Sequence, residues 1–380
     1  MVFIVLYFES SLEIARDILM AKQILGVDIG SDSLKLALVV GKAVKKVVAV
    51  PMPHSLVKEG RVVSIDAMGD LIRSAMRDNG MHCTNGALVL PNDVAFVRNV
   101  TMQQMSDEEL KYNLPYEFRD YISEDLKDYA FDYAVYGSPD SAPKTPKKPK
   151  KSKDSDGLGD GDPEIFDSEE PVKEEESLSM ELMAAAVQKS MIEDSKALFH
   201  KAGMKLVKIA PAVCSFIPLI QSIEEANGTS GEYCILDLGY RAIRMYMFKG
   251  SRHIVTRMLE TGLSTLDNAI AEAYTVDAHL AHTYLLTNYE DCQNKECCQN
   301  AYNDIAIELM RAVNFYRFSN PDSQLSDIWL CGGGTMLDPL KQAISETMDL
   351  EVHQASELLA GGKAAKKGNV TIQASGIAMY

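Results

Sequence analysis

Apolar positions from Gln23 onward come in short blocks whose period changes several times along the chain. ILGVDI, LKLALVV and KKVVAVPMP are rich in β-branched residues and separated by tight polar breaks, a pattern that predicts three consecutive antiparallel strands. SIDAMGDLIRSAMRDNGM carries its apolar residues at helical spacing and ends on glycine, so a helix covering that sheet is expected. GALVLPNDVAFVRNVTM reads as a further strand pair. SDEELKYNLPYEFRDYI opens on a capping-box pattern, Ser106 with Glu109, and Pro115 kinks or ends the helix that follows. DYAFDYAVYG alternates as a strand with one solvated face.

The pattern then stops. PKTPKKPKKSK is a block of lysines and DSDGLGDGDPEIFDSEEPVKEEE a block of acids, with too few apolar residues to offset the entropy of ordering. A disordered insertion over 139–176 is expected. Strand material resumes at LSMELMAAAVQ, so the insertion interrupts a domain rather than separating two. The helix KSMIEDSKALFHKAGM, the strand KLVKIAPAV and the helix CSFIPLIQSIEEAN, with Pro218 inside it, follow. From Gly231 the opening theme returns: GEYCILDLGYRAIRMYMFKGSRHIVTRML reads as strand, turn, strand, hairpin at Lys249-Gly250, strand. Three helical stretches come next, TLDNAIAEAY, VDAHLAHTYLLTNY and AYNDIAIELMRAVNFYRF. SQLSDIWLCGGGTMLDPLKQAISETM then gives strand, glycine turn and helix, and LEVHQA and NVTIQASG are read as closing strands.

A length of 380 residues allows two or more packed domains. The formal charge of −16 argues against nonspecific nucleic-acid binding. Seven dispersed cysteines suit a reducing compartment, and Cys292, Cys297 and Cys298 read as reduced thiols beside a helix rather than as a metal site. MVFIVLYFESSLEIARDIL has a short apolar run with no basic residue before it and acids directly after it, unlike a secretory signal or a membrane span. Translation from Met20 is therefore expected, with residues 1–21 a non-native or disordered extension, and the protein is read as cytoplasmic or peripheral.

The chemistry concentrates in three turns. Asp28 ends a strand and is followed by Gly30, Ser31 and Ser33, a turn that is either a plain hairpin with a capping acid or an anion nest with a carboxylate at its mouth. Asp28 would then hold water around a Mg2+ bridging phosphates. The Asp-X-Gly pattern recurs at Asp237 and Gly239, and Gly332, Gly333 and Gly334 end an apolar strand before a helix. Each signal is weak alone; the three in this order favour a clamped polyphosphate.

That order resembles the actin-like ATPase superfamily of actin, sugar kinases, heat-shock chaperones and the cell-division protein FtsA. Within it, GVDIGSDSLKLALV, ILDLGYRAIRMYMFKG, TGLSTLDNAIAEAY, NDIAIELMRAVNFYRF and WLCGGGTML are similar to segments of the PilM family of type IV pilus assembly, from about residue 22 to the end. The resemblance implies an α/β fold, ribonuclease H-like and two-lobed, with an FtsA-like 1C subdomain. It places the first part of subdomain 1A at 22–84, 1C at 85–188, the 1A return at 189–230 and the second lobe (2A/2B) at 231–380. It also implies ATP and Mg2+ as ligands. Asp28, Gly30, Ser31 and Ser33 would touch phosphate and metal water, with Asp237 and Gly239 facing them and Asp237 also reaching the metal through water. Gly262, Glu308 and Arg311 would lie on the nucleotide side, and Gly332, Gly333 and Gly334 under the adenosine. In that family a groove on the first lobe and its extra subdomain receives the cytoplasmic N-terminal tail of the single-pass membrane protein PilN. Tyr112, Tyr116, Phe118 and Tyr121 are candidates to line it.

The function implied is a nucleotide-bound adaptor, peripheral at the inner face of the cell membrane. It would couple that partner to a pilus motor ATPase complex, and a homo-oligomer is compatible with it. The turn Asp237-Leu238-Gly239-Tyr240-Arg241 departs from the superfamily, which carries small or hydroxyl residues there. Arg241 or Arg244 either replaces the lost donors or points to solvent. No base to orient an attacking water stands out, which leaves ATP hydrolysis open. The alternatives are a small-molecule kinase, which lacks a candidate acceptor-site aspartate, and an FtsA-like division protein, which would favour a C-terminal amphipathic helix.

Overall fold

The computed structural model describes residues 23–136, 179–359 and 368–380. The expectations for the first 21 residues and for the insertion over 139–176 lie outside the described residues.

Two five-stranded sheets share one plan. The first holds β1 (Ile24–Ile29), β2 (Ser33–Val40), β3 (Ala43–Pro51), β6 (Asn85–Leu90) and β10 (Lys205–Pro211), in the order β10-β6-β1-β2-β3. Between β3 and β6 the chain makes the two-residue ribbon β4 (Val57–Lys58) and β5 (Arg61–Val62). The second sheet holds β11 (Glu232–Leu238), β12 (Ile243–Lys249), β13 (Arg252–Leu259), β14 (Asp327–Cys331) and β15 (Glu351–Gln354), in the order β13-β12-β11-β14-β15. In each, three antiparallel strands continue into two parallel ones. Two sheets built to this plan are the mixed α/β sheets of the actin-like ATPase fold.

A third, three-stranded antiparallel sheet is made of β7 (Ala95–Gln103), β8 (Tyr129–Val135) and β9 (Ser179–Gln188), in the order β7-β9-β8. GALVLPNDVAFVRNVTM is therefore not a strand pair. β6 lies in the first sheet, parallel to β1, and β7 starts a different sheet after the Pro91-Asn92-Asp93 turn. Both runs are apolar enough to be strands, but neither carries information about its partner.

The helices are α1 (Ile65–Asp78), α2 (Asp107–Asn113), α3 (Lys189–Lys201), α4 (Ile217–Asn227), α5 (Ser264–Tyr274), α6 (Ala278–Thr287), α7 (Glu296–Ser319), α8 (Asp338–Thr347) and α9 (Ile372–Met379). α1 is capped by Ser64, which accepts from the Ala67 amide at 3.3 Å, and buries Met68, Ile72, Ala75 and Met76 on one stripe. The capping box at Ser106 and Glu109 forms, and α2 gives way to a 3-10 turn at Leu114, where Pro115 cannot donate. Pro218 stands in the first turn of α4, a position where its missing amide costs nothing, rather than inside the helix. All seven cysteines are free thiols. Among the described residues no helix is long and apolar enough to cross a membrane.

The segment read as a last strand, NVTIQASG, is instead the start of α9. This helix is buried on every side, from Ile372 through Ala378, and lies directly on β1 and on the Ala212–Ser215 turn. Glycines set the approach: a Cβ at Gly26 would stand 1.7 Å from the Ala374 carbonyl oxygen, and one at Gly376 would stand 1.8 Å from that of Ser215. Gly26→Ala or Gly376→Ala is therefore expected to cost about 3 kcal/mol or more in urea unfolding. Gly231→Ala, whose Cβ meets nothing nearer than 3.9 Å, should be close to neutral. Equal midpoints for the three variants would contradict the packing of α9.

Candidate functional site: the cleft between the two acid-ended hairpins

The register of each β-hairpin puts a cation opposite the strand-end acid. Asp28 pairs with Lys35 across β1 and β2, and Asp237 pairs with Arg244 across β11 and β12. The two hairpins face one another over a cleft of ≈ 340 Å³ lined by residues of both lobes. Asp28 and Lys35 form an ion pair at 3.2 Å, each side chain 14% exposed. Burial alone would lower the Lys35 amine, but Asp28 and Asp237 on either side outweigh it and the pKa is raised. Asp237 shifts the other way. Its removal from water raises the carboxyl against the pull of Lys35 and Arg244, while the buried Gln373 side chain of α9 donates to it at 2.8 Å.

Around these groups the first turn is short and polar. The Gly30 amide closes it on the Ser33 carbonyl at 3.1 Å, and Gly30, Ser31, Asp32 and Ser33 all line the cleft. A Cβ at Gly30 would sit 2.8 Å from the Lys35 amine, so glycine leaves that cation reachable. Opposite, Asp237, Gly239, Tyr240 and Arg241 line the second wall. Arg244 neither points to solvent nor stands free for a ligand: it crosses to Asp93 of the first lobe at 3.0 Å. Beside it, Asn92 donates to the Tyr246 hydroxyl at 3.1 Å. Arg241 is exposed at the cleft wall.

The remaining expected site residues divide. Gly333 lines the cleft. Gly332 has φ +84°, and a Cβ there would lie 2.4 Å from Asp237 Oδ1; a Cβ at Gly334 would lie 2.6 Å from the Leu238 Cβ. These two glycines let the turn press onto β11. Gly262 does the same for the second turn, where a Cβ would meet the Tyr240 carbonyl oxygen at 2.5 Å. Glu308 and Arg311 are not brought to the cleft. α7 buries Tyr302, Ile305, Leu309 and Val313, and these two residues fall on its exposed face. Of the four aromatic groove candidates, Phe118 is fully buried in the core of the three-stranded sheet, whereas Tyr112, Tyr116 and Tyr121 are exposed.

Sequence reasoning passed over a relay at the cleft mouth. His282 of α6 contacts Asp267 Oδ2 through Nδ1 at 2.9 Å and Asp32 Oδ1 through Nε2 at 3.1 Å. The Tyr240 hydroxyl donates to the same Asp267 oxygen at 2.8 Å. The relay thus ties the first turn to the second lobe. Hydrogen bonds to the two carboxylates, Asp267 first, push the imidazole pKa up to about 10. Nothing in the local sequence marks His282. Lys35 was also passed over, although it stands seven positions after Asp28, the same spacing that Arg244 keeps from Asp237.

With this geometry in view, the comparisons with known proteins are consistent. The profile of the family described as "Type IV pilus assembly protein PilM" matches residues 26–148 and 166–375. The chain is similar to a solved structure described as a "PilM-PilN type IV pilus biogenesis complex", at 18% identity with a TM-score of 0.72, covering 94% of this chain and 97% of that one. It is also similar to the ethanolamine utilization protein EutJ from Carboxydothermus hydrogenoformans, at 13% identity and TM-score 0.53, covering 94% and 89%. None of the curated proteins matches it in sequence.

A histidine raised from 6.5 to about 10 on folding contributes stability that is fully present below pH 6.5 and is lost as pH rises through 10. The urea midpoint of the native protein is expected to fall over that window more steeply than that of His282→Gln. Parallel slopes would remove the charged imidazole from the relay.

Proposed function

The chain belongs to the PilM family of type IV pilus assembly proteins, and from that premise we propose that it is a cytoplasmic adaptor: it binds ATP with Mg2+ between its lobes and holds the cytoplasmic tail of a PilN-like membrane protein. The observation that carries the nucleotide half is the pair of acid-ended hairpins facing each other with Lys35 between them. The donor set fits a magnesium polyphosphate. Asp28 and Asp237 are carboxylates able to hold metal-bound water, Lys35 and the Ser31 and Ser33 hydroxyls suit phosphate oxygens, and the Gly30 and Gly239 backbones offer close approach. Gly333 passes along the adenosine side, and Gly332, Gly334 and Gly262 act indirectly, by seating the turns. A divalent cation beside Asp237 would also offset the cost of burying that carboxylate.

We assign the extra subdomain 1C, expected over 85–188, to the three-stranded sheet with α2, described over 95–136 and 179–188, because β6 at its expected start joins the first sheet; the second lobe we begin near Gly231. Where it meets the first lobe, Arg61 of β5 reaches Gln188 of β9 at 2.6 Å. Beside that contact is an apolar pocket of ≈ 110 Å³ with Ile65, Leu88, Leu90, Met191 and Leu198 in its wall and Arg61 and Asp194 among its polar residues. A preformed apolar pocket reduces the cost of ordering a flexible tail, and the formal charge of −16 favours one with a basic juxtamembrane flank. Tyr116 and Tyr121 lie under Arg119 and Arg98 at 4.7 and 3.7 Å, a basic and aromatic surface farther along the same subdomain. We place the protein at the inner face of the membrane through this partner.

Two measurements separate the halves of this reading. Calorimetry with ATP and Mg2+ should show binding that Asp28→Ala or Lys35→Ala weakens about tenfold or more, the loss of one charge-assisted contact. No heat from well-folded native protein would end the cleft assignment. Capture of a synthetic N-terminal tail of a PilN-like protein should survive Asp28→Ala but drop by about tenfold in Met191→Asp, which places a charge in the apolar pocket. Equal capture by both variants would move the tail elsewhere on the surface.

A further inference from the structure

Far from the hairpin turns, the outer edge of the second sheet gathers metal-binding groups on one face. β14 and β15 run parallel, with Asp327 opposite Glu351 and Trp329 opposite His353. The two-residue period of a strand therefore puts all four side chains on the same side. Ile328 and Leu330 point the other way, into the core of the second lobe. His353 Nε2 stands 3.0 Å from Asp327 Oδ1 and 3.6 Å from Glu351 Oε2. One ligand atom from each of the three residues lies within 4.8 Å of the others.

The geometry points to a divalent transition-metal site of the Zn2+ class held by Asp327, Glu351 and His353. Metal bonds of about 2.0–2.1 Å in a tetrahedral shell set ligand atoms roughly 3.3 Å apart, and the two nitrogen–oxygen separations bracket that value. Nε2 approaches both carboxylates, so Asp327, Glu351 and His353 would each supply one ligand atom to a shared ion. Imidazole with carboxylate oxygens suits zinc better than magnesium, which prefers oxygen alone and retains water. A water would complete such a shell.

What distinguishes the cluster from a solvated ion pair is how the ring is held. Its other nitrogen, Nδ1, looks toward Glu357 Oε2 at 3.8 Å, near enough for the carboxylate's charge to favour a proton-bearing Nδ1. Glu357 is itself fixed by a capping box, accepting from the Gln354 amide at 3.1 Å. The indole of Trp329 stacks on the imidazole with centroids 4.7 Å apart and planes 26° apart. The ligand set sits on paired strands, so loading it would also fasten the edge strand β15 to β14.

Trp329 is the single tryptophan of the chain, which supplies the readout. Titrating the full-length native protein with Co2+, with and without ATP, should quench its fluorescence along a saturable curve, and Zn2+ should displace the cobalt. Glu351→Gln, at a side chain 80% exposed and so without consequence for folding, should weaken Co2+ at least tenfold, and Asp327→Asn likewise. Glu346→Gln, on α8 outside the cluster, should leave the curve unchanged. Absence of saturable quenching in the native protein, or equal curves for Glu351→Gln and Glu346→Gln, would overturn the site.

Discussion

Two carboxylates withdrawn into one cleft need positive charge between them, and much of the molecule is arranged to provide it. Antiparallel register sets Lys35 opposite Asp28 and Arg244 opposite Asp237. Unpaired, two carboxylates at this depth would carry an uncompensated burial cost. The requirement propagates outward. Arg244, drawn toward Asp237, also crosses to Asp93, so charge balance at one hairpin becomes a tie between lobes. Asp237 also takes a hydrogen bond from Gln373 of α9, the helix lying on β1, and Gly26 and Gly376 give that helix room. The acid at a strand end and the glycine beneath a distant helix thus answer to one electrostatic demand.

The parts of the fold legible in the sequence are those in which one residue pattern determines one element. The hairpins around Asp28 and Asp237 could be read because strand, turn chemistry and strand all fall within a few residues. α9 could not. A helix buried on all sides has no polar face, so it lacks the 3.6-residue alternation that identifies helices, and Val370, Thr371 and Ile372 at its start suggest a strand. Likewise β6 and β7 read correctly as strands, but the sheet each joins depends on β1 and β9, residues far away in the chain.

The site divides along the same line. The turn residues Gly30, Ser31, Ser33, Gly239 and Gly333 come to the cleft because local turn geometry carries them there. Glu308 and Arg311 do not, because their position on α7 is fixed by which stripe the helix buries, and Ile305, Leu309 and Val313 claim the opposite side. His282 is brought to Asp32 by the packing of α6 on α5, and Asp267 lies inside the segment TGLSTLDNAIAEAY, which gives it no role of its own. Tertiary contacts of this kind leave no periodic trace.

The relay also explains why the second turn departs from its counterpart. Tyr240 and Arg241 occupy positions where small donors would face phosphate, and bulk there looks like a loss of grip. The Tyr240 hydroxyl, however, is bonded to Asp267, which holds His282 against Asp32 of the first turn. Tyr240 is therefore a strut. It supports the carboxylate that fixes the imidazole, and the imidazole joins the two hairpins at the cleft mouth. A small residue would leave Asp267, 1% exposed, with one partner fewer and the imidazole less firmly placed. The two turns thus differ in role: the first presents hydroxyls and a reachable lysine to the cleft, and the second braces the histidine that ties the second lobe to Asp32.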